Sequence, residues 1–157
     1  MIKIGVTGHQ KMPTAAKEYA ERIIRGLLAR QDGQVVGLTS LAAGADQMFA
    51  QLVLEAGGSL DAIIPSAGYE TTFTPDDLPV YNALVGRAGH VTVLDFPEPT
   101  EEAFMAAGQE VVARSDLVVA VWDGQPAAGY GGTADAVWYA WSLGKPVLNA
   151  WPKGVTR

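Results

Sequence analysis

Three short stretches of this 157-residue chain combine small residues with groups able to hold an anion. The first is Thr7-Gly8-His9-Gln10 and the second Ser40-Leu41-Ala42-Ala43-Gly44-Ala45-Asp46. The third is Gly129-Tyr130-Gly131-Gly132-Thr133-Ala134-Asp135. Each follows an apolar run, and the third opens into a helical pattern. A strand, a glycine loop and a helix in that order present backbone N–H groups to a phosphate at the positive end of the helix. Glycine permits close approach of the backbone and positive φ. After a strand, a lone glycine often does no more than make a tight turn; three such ends side by side point to a ligand. Thr133 also reads as the N-cap of its helix. Asp46 reads either as an acceptor for ribose hydroxyls or as an acid placed favourably in a first helical turn.

Other chemistries find less support. With no cysteine and two histidines, His9 and His90, neither a nucleophilic triad nor a metal centre is indicated, and no metal or cofactor is expected. His90 opens a strand and reads as structural; His9, in the first loop, is the better functional candidate. Tyr69 and Tyr81 flank a long polar loop, where they read as stacking partners for a base or as packing over the sheet edge. Candidate catalytic carboxylates outside the loops are Glu70, Asp76, Asp77, Glu110 and Asp123, with Glu110 and Arg114 also spaced as a surface i,i+4 pair.

The elements that must position these residues follow from periodicity. Short apolar runs predict strands over Ile2–Thr7, Gln34–Leu41, Leu60–Pro65, His90–Phe96, Leu117–Trp122 and Val147–Trp151. Helical spacing predicts helices from Pro13 to Ala29, Ala45 to Ala56, Asp77 to Gly86, Thr100 to Arg114 and Thr133 to Leu143. Gly57-Gly58 and Gly144-Lys145-Pro146 read as helix stops, and Thr100 as an N-cap followed by acids. Strands alternating with helices predict an α/β fold, a Rossmann-like doubly wound and mostly parallel sheet with helices on both faces, as one domain over residues 1–157. Ligands of such sheets sit outside the carboxyl ends of the strands, where the strand order reverses. Trp138, Tyr139 and Trp141 cannot all face one side of their helix, so one or two should emerge at a surface, a reasonable dimer face.

The net charge of −6, with basic residues scattered, predicts no extended nucleic-acid partner. Backbone amides can still bind a small anion. No apolar run approaches the ~20 residues of a membrane span, and no leader pattern follows Met1, so a cytoplasmic location without membrane attachment is expected.

In their order and placement at strand ends, the three loops resemble those of the SLOG superfamily. These Rossmann-like domains include DprA (SMF), the LOG phosphoribohydrolases and molybdenum-cofactor-carrier-like proteins. The resemblance covers nearly the whole chain. It implies a pocket for a nucleotide or nucleotide-derived ligand, with Thr7, Gly8, His9 and Gln10 in the first wall, Gly44 and Asp46 in the second, Gly129 in the third, and Gly131, Gly132 and Thr133 on the phosphate. It also implies a homodimer. Two departures matter. Gln10 stands where many relatives carry arginine after the histidine. Ala136 stands where the hydrolase branch carries its glutamate, leaving Asp135, one residue earlier and about 100° round the helix, as a weak catalytic substitute. The resemblance thus implies a sensor or carrier, with a nucleotide N-glycosidase or ribosyl-transfer enzyme as the alternative.

Overall fold

A computed structural model of the chain describes residues 1–126 and 132–157. Six strands form one sheet: β1 (Ile2–Gly8), β2 (Val35–Thr39), β3 (Ser59–Ile64), β4 (His90–Val93), β5 (Leu117–Val121) and β6 (Val147–Asn149). Their order is β4-β3-β2-β1-β5-β6, and every pairing is parallel. Five helices connect them: α1 (Thr14–Ala29), α2 (Ala45–Glu55), α3 (Asp77–Arg87), α4 (Glu101–Arg114) and α5 (Thr133–Ser142). The α/β, doubly wound reading therefore holds. β1 runs one residue longer than predicted, and the other five strands stop short of their predicted carboxyl ends, with Trp122 and Trp151 buried just beyond β5 and β6.

Parallel pairing requires crossovers, and the helices supply them on both faces. The α1 and α2 helices pack against one another, as do α4 and α5. On the α1 and α2 side, Ala16, Ala20, Ile24, Leu27 and Leu28 of α1 recur at helical spacing, and all are buried. They join Phe49 and Val53 of α2 over Ile4 and Leu60 of the sheet. On the other side Ala107 and Val111 of α4 cover Leu38 and Ile63, while Ala134 and Val137 of α5 cover Ala120 and Trp122.

Local chemistry sets the helix ends. Gly57 (φ 84°) closes α2, its amide bonded to Leu54 O and that of Gly58 to Val53 O, the paired bonds of a Schellman stop. Thr100 caps α4, its hydroxyl accepting from the Ala103 amide at 3.2 Å. Thr133 departs from expectation. Gly132 occupies the N-cap and Thr133 is the first helical residue, buried against the sheet end. Trp138 and Trp141 emerge at the surface, as the one-face argument required, and Trp141 sets its ring edge near Trp122. Among the described residues no helix is long and apolar enough to cross a membrane.

Candidate functional site

The strand order reverses between β1 and β5. From β1 the chain steps through β2 and β3 to β4, then crosses back over the sheet through α4 to β5 on the other side of β1. The loops after β1 and β5 therefore diverge to opposite faces and leave a crevice. A cleft of about 590 Å³ lies there. Its walls are the loop after β1 (Thr7 to Gln10), the loop after β2 (Ser40, Ala42, Ala43 and Asp46) and the start of α5 (Gly132 to Ala134). The long loop after β3 contributes Tyr69 and Phe73, the start of α3 contributes Asp77, and α4 adds Glu101 and Phe104.

Close contact locks the first two walls together. The Ala45 amide donates to the His9 carbonyl at 3.1 Å. A Cβ on Gly8 would overlap that of Ala45, and a Cβ on Gly44 would overlap the backbone of Gln10. Gly44 also has φ 82°, so two requirements for glycine coincide. It shapes the wall from behind and does not itself line the cleft. Leu41 is the one non-glycine residue with positive φ (58°) among the described residues. Its amide donates to Thr39 Oγ1 at 2.9 Å and its carbonyl accepts from Gln47 Nε2 at 3.3 Å, holding a conformation of order 1 kcal/mol unfavourable. That turn swings Ala42 and Ala43 into the cleft.

Asp46 is buried in the second wall, its Oδ2 3.4 Å from the Ala42 amide. Burial pushes its carboxyl up to about 7, against the opposing pull of the Ala42 amide, the Thr39 hydroxyl and the Ser40 backbone. Near neutrality it is therefore both donor and acceptor, a pairing suited to a hydroxyl group.

A cluster that local spacing does not show spans the crevice. His9 Nε2 lies 3.2 Å from Asp123 Oδ1, and Arg157 Nη1 lies 3.0 Å from His9 Nδ1. Arg157 Nε is 3.5 Å from Asp123 Oδ2. A guanidinium has donors only, so Nδ1 accepts and the ring proton is assigned to Nε2, which donates to Asp123. The Asp123 amide also lies 3.1 Å from Nε2 in donor geometry, a hydrogen bond in the alternative tautomer with the proton on Nδ1. Burial, then the Arg157 charge, lowers the His9 pKa against the pull of Asp123, so the ring is neutral at pH 7. Burial alone would raise Asp123; the Gln125 amide, His9 and Arg157 outweigh it and hold the carboxyl below its usual range. Trp151 meets the His9 ring edge-on at 5.4 Å and, through Nε1, donates to Val155 O at 2.7 Å, which fixes the segment carrying Arg157. Asp123 was among the acids considered from sequence; Arg157 offered no local signal.

The structure thus gathers Thr7, Gly8, His9, Gln10, Asp46, Gly132 and Thr133 on one cleft. Gly129 and Gly131 lie outside the described residues. Tyr69 reaches the cleft but is buried, with its ring edge-on to Phe73 and Tyr81; burial first, then Asp46 and Tyr81, raises its pKa. Tyr81 does not line the cleft and stacks on Phe73 at 4.5 Å. Phe73, unnamed in the sequence reading, is the less buried ring of that cluster. Asp135 lines a narrow recess between α4 and α5 instead of the cleft. Among the other acids, Asp77 lines the cleft, Glu70 and Asp76 are exposed, and Glu110 pairs with Arg114 at 2.7 Å on the surface. His90 is exposed at the start of edge strand β4.

No family model matches the chain, and no curated protein does. Solved structures do. DNA processing protein A from Streptococcus pneumoniae superposes with a TM-score of 0.71 at 19% identity, over 95% of this chain and 50% of that one. The Helicobacter pylori protein of the same name gives 0.69 at 19% identity, over 94% and 64%. The molybdenum cofactor binding protein from Rippkaea orientalis gives 0.62 at 21%, over 94% and 75%. The chain therefore spans one half to two thirds of the length of the two DNA-processing proteins. The H. pylori structure is described by its single-stranded DNA binding mode. That overturns the exclusion of extended nucleic acid drawn from net charge: a domain of this fold serves such a protein, and local field at a groove, not the summed charge, decides what it holds. The chain therefore shares a Rossmann-like fold with these proteins.

Proposed function

We propose that this chain binds a nucleotide or nucleotide-derived ligand in the cleft at the β1/β5 reversal, as a sensor or carrier. The observation that carries the reading is the convergence of three strand-end loops on one cleft with polar groups graded along it. At the β5 end are the first residues of α5, whose amides and dipole favour an anion, and the guanidinium of Arg157. In the middle sits Asp46, suited to a sugar hydroxyl. At the β3 end Phe73 and Phe104 offer apolar surface for a base. In this reading Thr7, Gly8, His9, Gln10, Gly132 and Thr133 surround the phosphate, and Gly44 holds the first two walls in register. The R. orientalis relative, described as a cofactor-binding protein, supports a carrier role.

The hydrolase alternative draws no support from Asp135, which lines the α4–α5 recess and not the cleft, or from Ala136, which packs into the α4–α5 interface. Titration calorimetry with ribonucleoside monophosphates, cyclic nucleotides, ADP-ribose and a short single-stranded oligonucleotide tests the proposal. Saturable binding of a mononucleotide-sized ligand is expected, with no free base released on chromatography. Absence of binding at millimolar concentration overturns the proposal, as does binding of the oligonucleotide alone. Release of free base assigns the cleft to the enzyme reading.

A further inference from the structure

The geometry points to Arg157 as the residue that binds the ligand's anionic group, and to a single phosphate as the group it is built for. This inference rests on the cleft being a nucleotide site and adds which charge reads the ligand and how many phosphates fit.

Arg157 is the only lysine or arginine among the described residues that line the cleft. Its side chain is 40% exposed, yet it is held in place from two sides. Nη1 is committed to His9 Nδ1 and Nε faces Asp123 Oδ2, which leaves Nη2 for a ligand. Asp123 and His9 are nearly sealed from solvent, each side chain 6% exposed, so they cannot easily follow the guanidinium if it moves. A cation braced by a buried carboxylate and a neutral imidazole loses little side-chain freedom when an anion arrives, and that preorganisation favours affinity. The brace also leaves the Arg157 charge only partly neutralised, because Asp123 shares its other oxygen with His9.

The rest of the cleft limits the anion's size. Asp77 and Glu101 line it, with Asp46 between them and the phosphate end. These carboxylates line the same cleft as the anion, so they make its interior unfavourable for further negative charge. One guanidinium and one helix N-terminus match one phosphate. A second or third phosphate would add negative charge with no further lysine or arginine among the described lining residues to meet it.

The test is titration calorimetry of the full chain with the four common ribonucleosides and their mono-, di- and triphosphates, with and without magnesium. The monophosphate of the preferred base should bind roughly 10- to 100-fold more tightly than its nucleoside, the range of one charge-assisted contact. Added phosphates should leave affinity unchanged or lower it, with or without magnesium. Arg157→Ala should bring the monophosphate to within about threefold of the nucleoside, both measured on the variant. Arg157→Gln, which keeps length and a donor but no charge, should behave alike, and thermal melting should show both variants folded. An unchanged ratio of monophosphate to nucleoside affinity in these variants overturns the role of Arg157 while leaving the nucleotide site standing. Tighter triphosphate binding overturns the single-phosphate assignment. If no nucleoside or nucleotide binds the wild-type chain, the site reading and this inference fail together.

Discussion

Asp46 has an ordinary unfolded value near 3.9 and a folded value of about 7, so between those limits the folded chain keeps a proton that the unfolded chain has lost. Its contribution to stability is therefore largest at low pH, declines as pH rises from about 4 to about 7, and is level above. Asp46→Asn should gain on wild type across that window by up to a few kcal/mol, read by urea denaturation at several pH values; a constant difference would contradict the buried-acid account. His9 works in the opposite direction. Its folded pKa is lowered, so its contribution is full above about 6.5 and is lost as pH falls below that value. Asp123, held low, gives up its share only as pH drops through the acid range. Sequence pointed to His9 and Asp46 because each sits beside a glycine at a strand end. It could not point to Arg157, which lies 148 positions from the histidine it touches and has no motif around it. Tyr81 stayed between stacking and packing for a related reason: position beside a loop says nothing about whether neighbouring rings bury it.

Between elements, the site depends on how two loops seat against each other. Gly44 is the sharpest probe. Gly44→Ala forces a β-carbon into positive φ and into the Gln10 backbone, and should cost about 2 kcal/mol or more in stability while weakening ligand binding. Gly57→Ala, at similar φ but with open space around it, should cost about 1 kcal/mol and leave binding alone. Comparing the two by denaturation and calorimetry separates strain from the fit of the walls. Thr100→Ala removes the one side-chain cap of α4 and should destabilise by about 1 kcal/mol. Caps and stops of this kind were readable because they are local chemistry. The N-cap of α5 was not: Gly132 and Thr133 both suit it, and the path of the chain into the helix decided between them.

At the scale of the molecule, alternation of apolar runs with helical periods was enough for the sheet and its two helical layers, since parallel strands buried on both faces have few other arrangements. The reversal between β1 and β5 was an expectation of the fold, and it is what brings residues 9, 123 and 157 together. The core that supports it is ordinary in its energetics. Phe49, fully buried under the sheet, should cost about 3–5 kcal/mol when replaced by alanine, measured by chemical denaturation. Net charge was the least informative whole-molecule property, because it averages over the one cleft that matters.

The central claim is that the cleft at the reversal holds a nucleotide, and amide chemical-shift mapping during titration with a nucleoside monophosphate tests it most directly. The account predicts saturable shifts at Gly8, His9, Asp46, Thr133 and Ala134 and at Arg157 Nε, with Trp138 and the β4 edge unmoved. Shifts centred on α5's outer face or on β4, with the cleft residues silent, would contradict it.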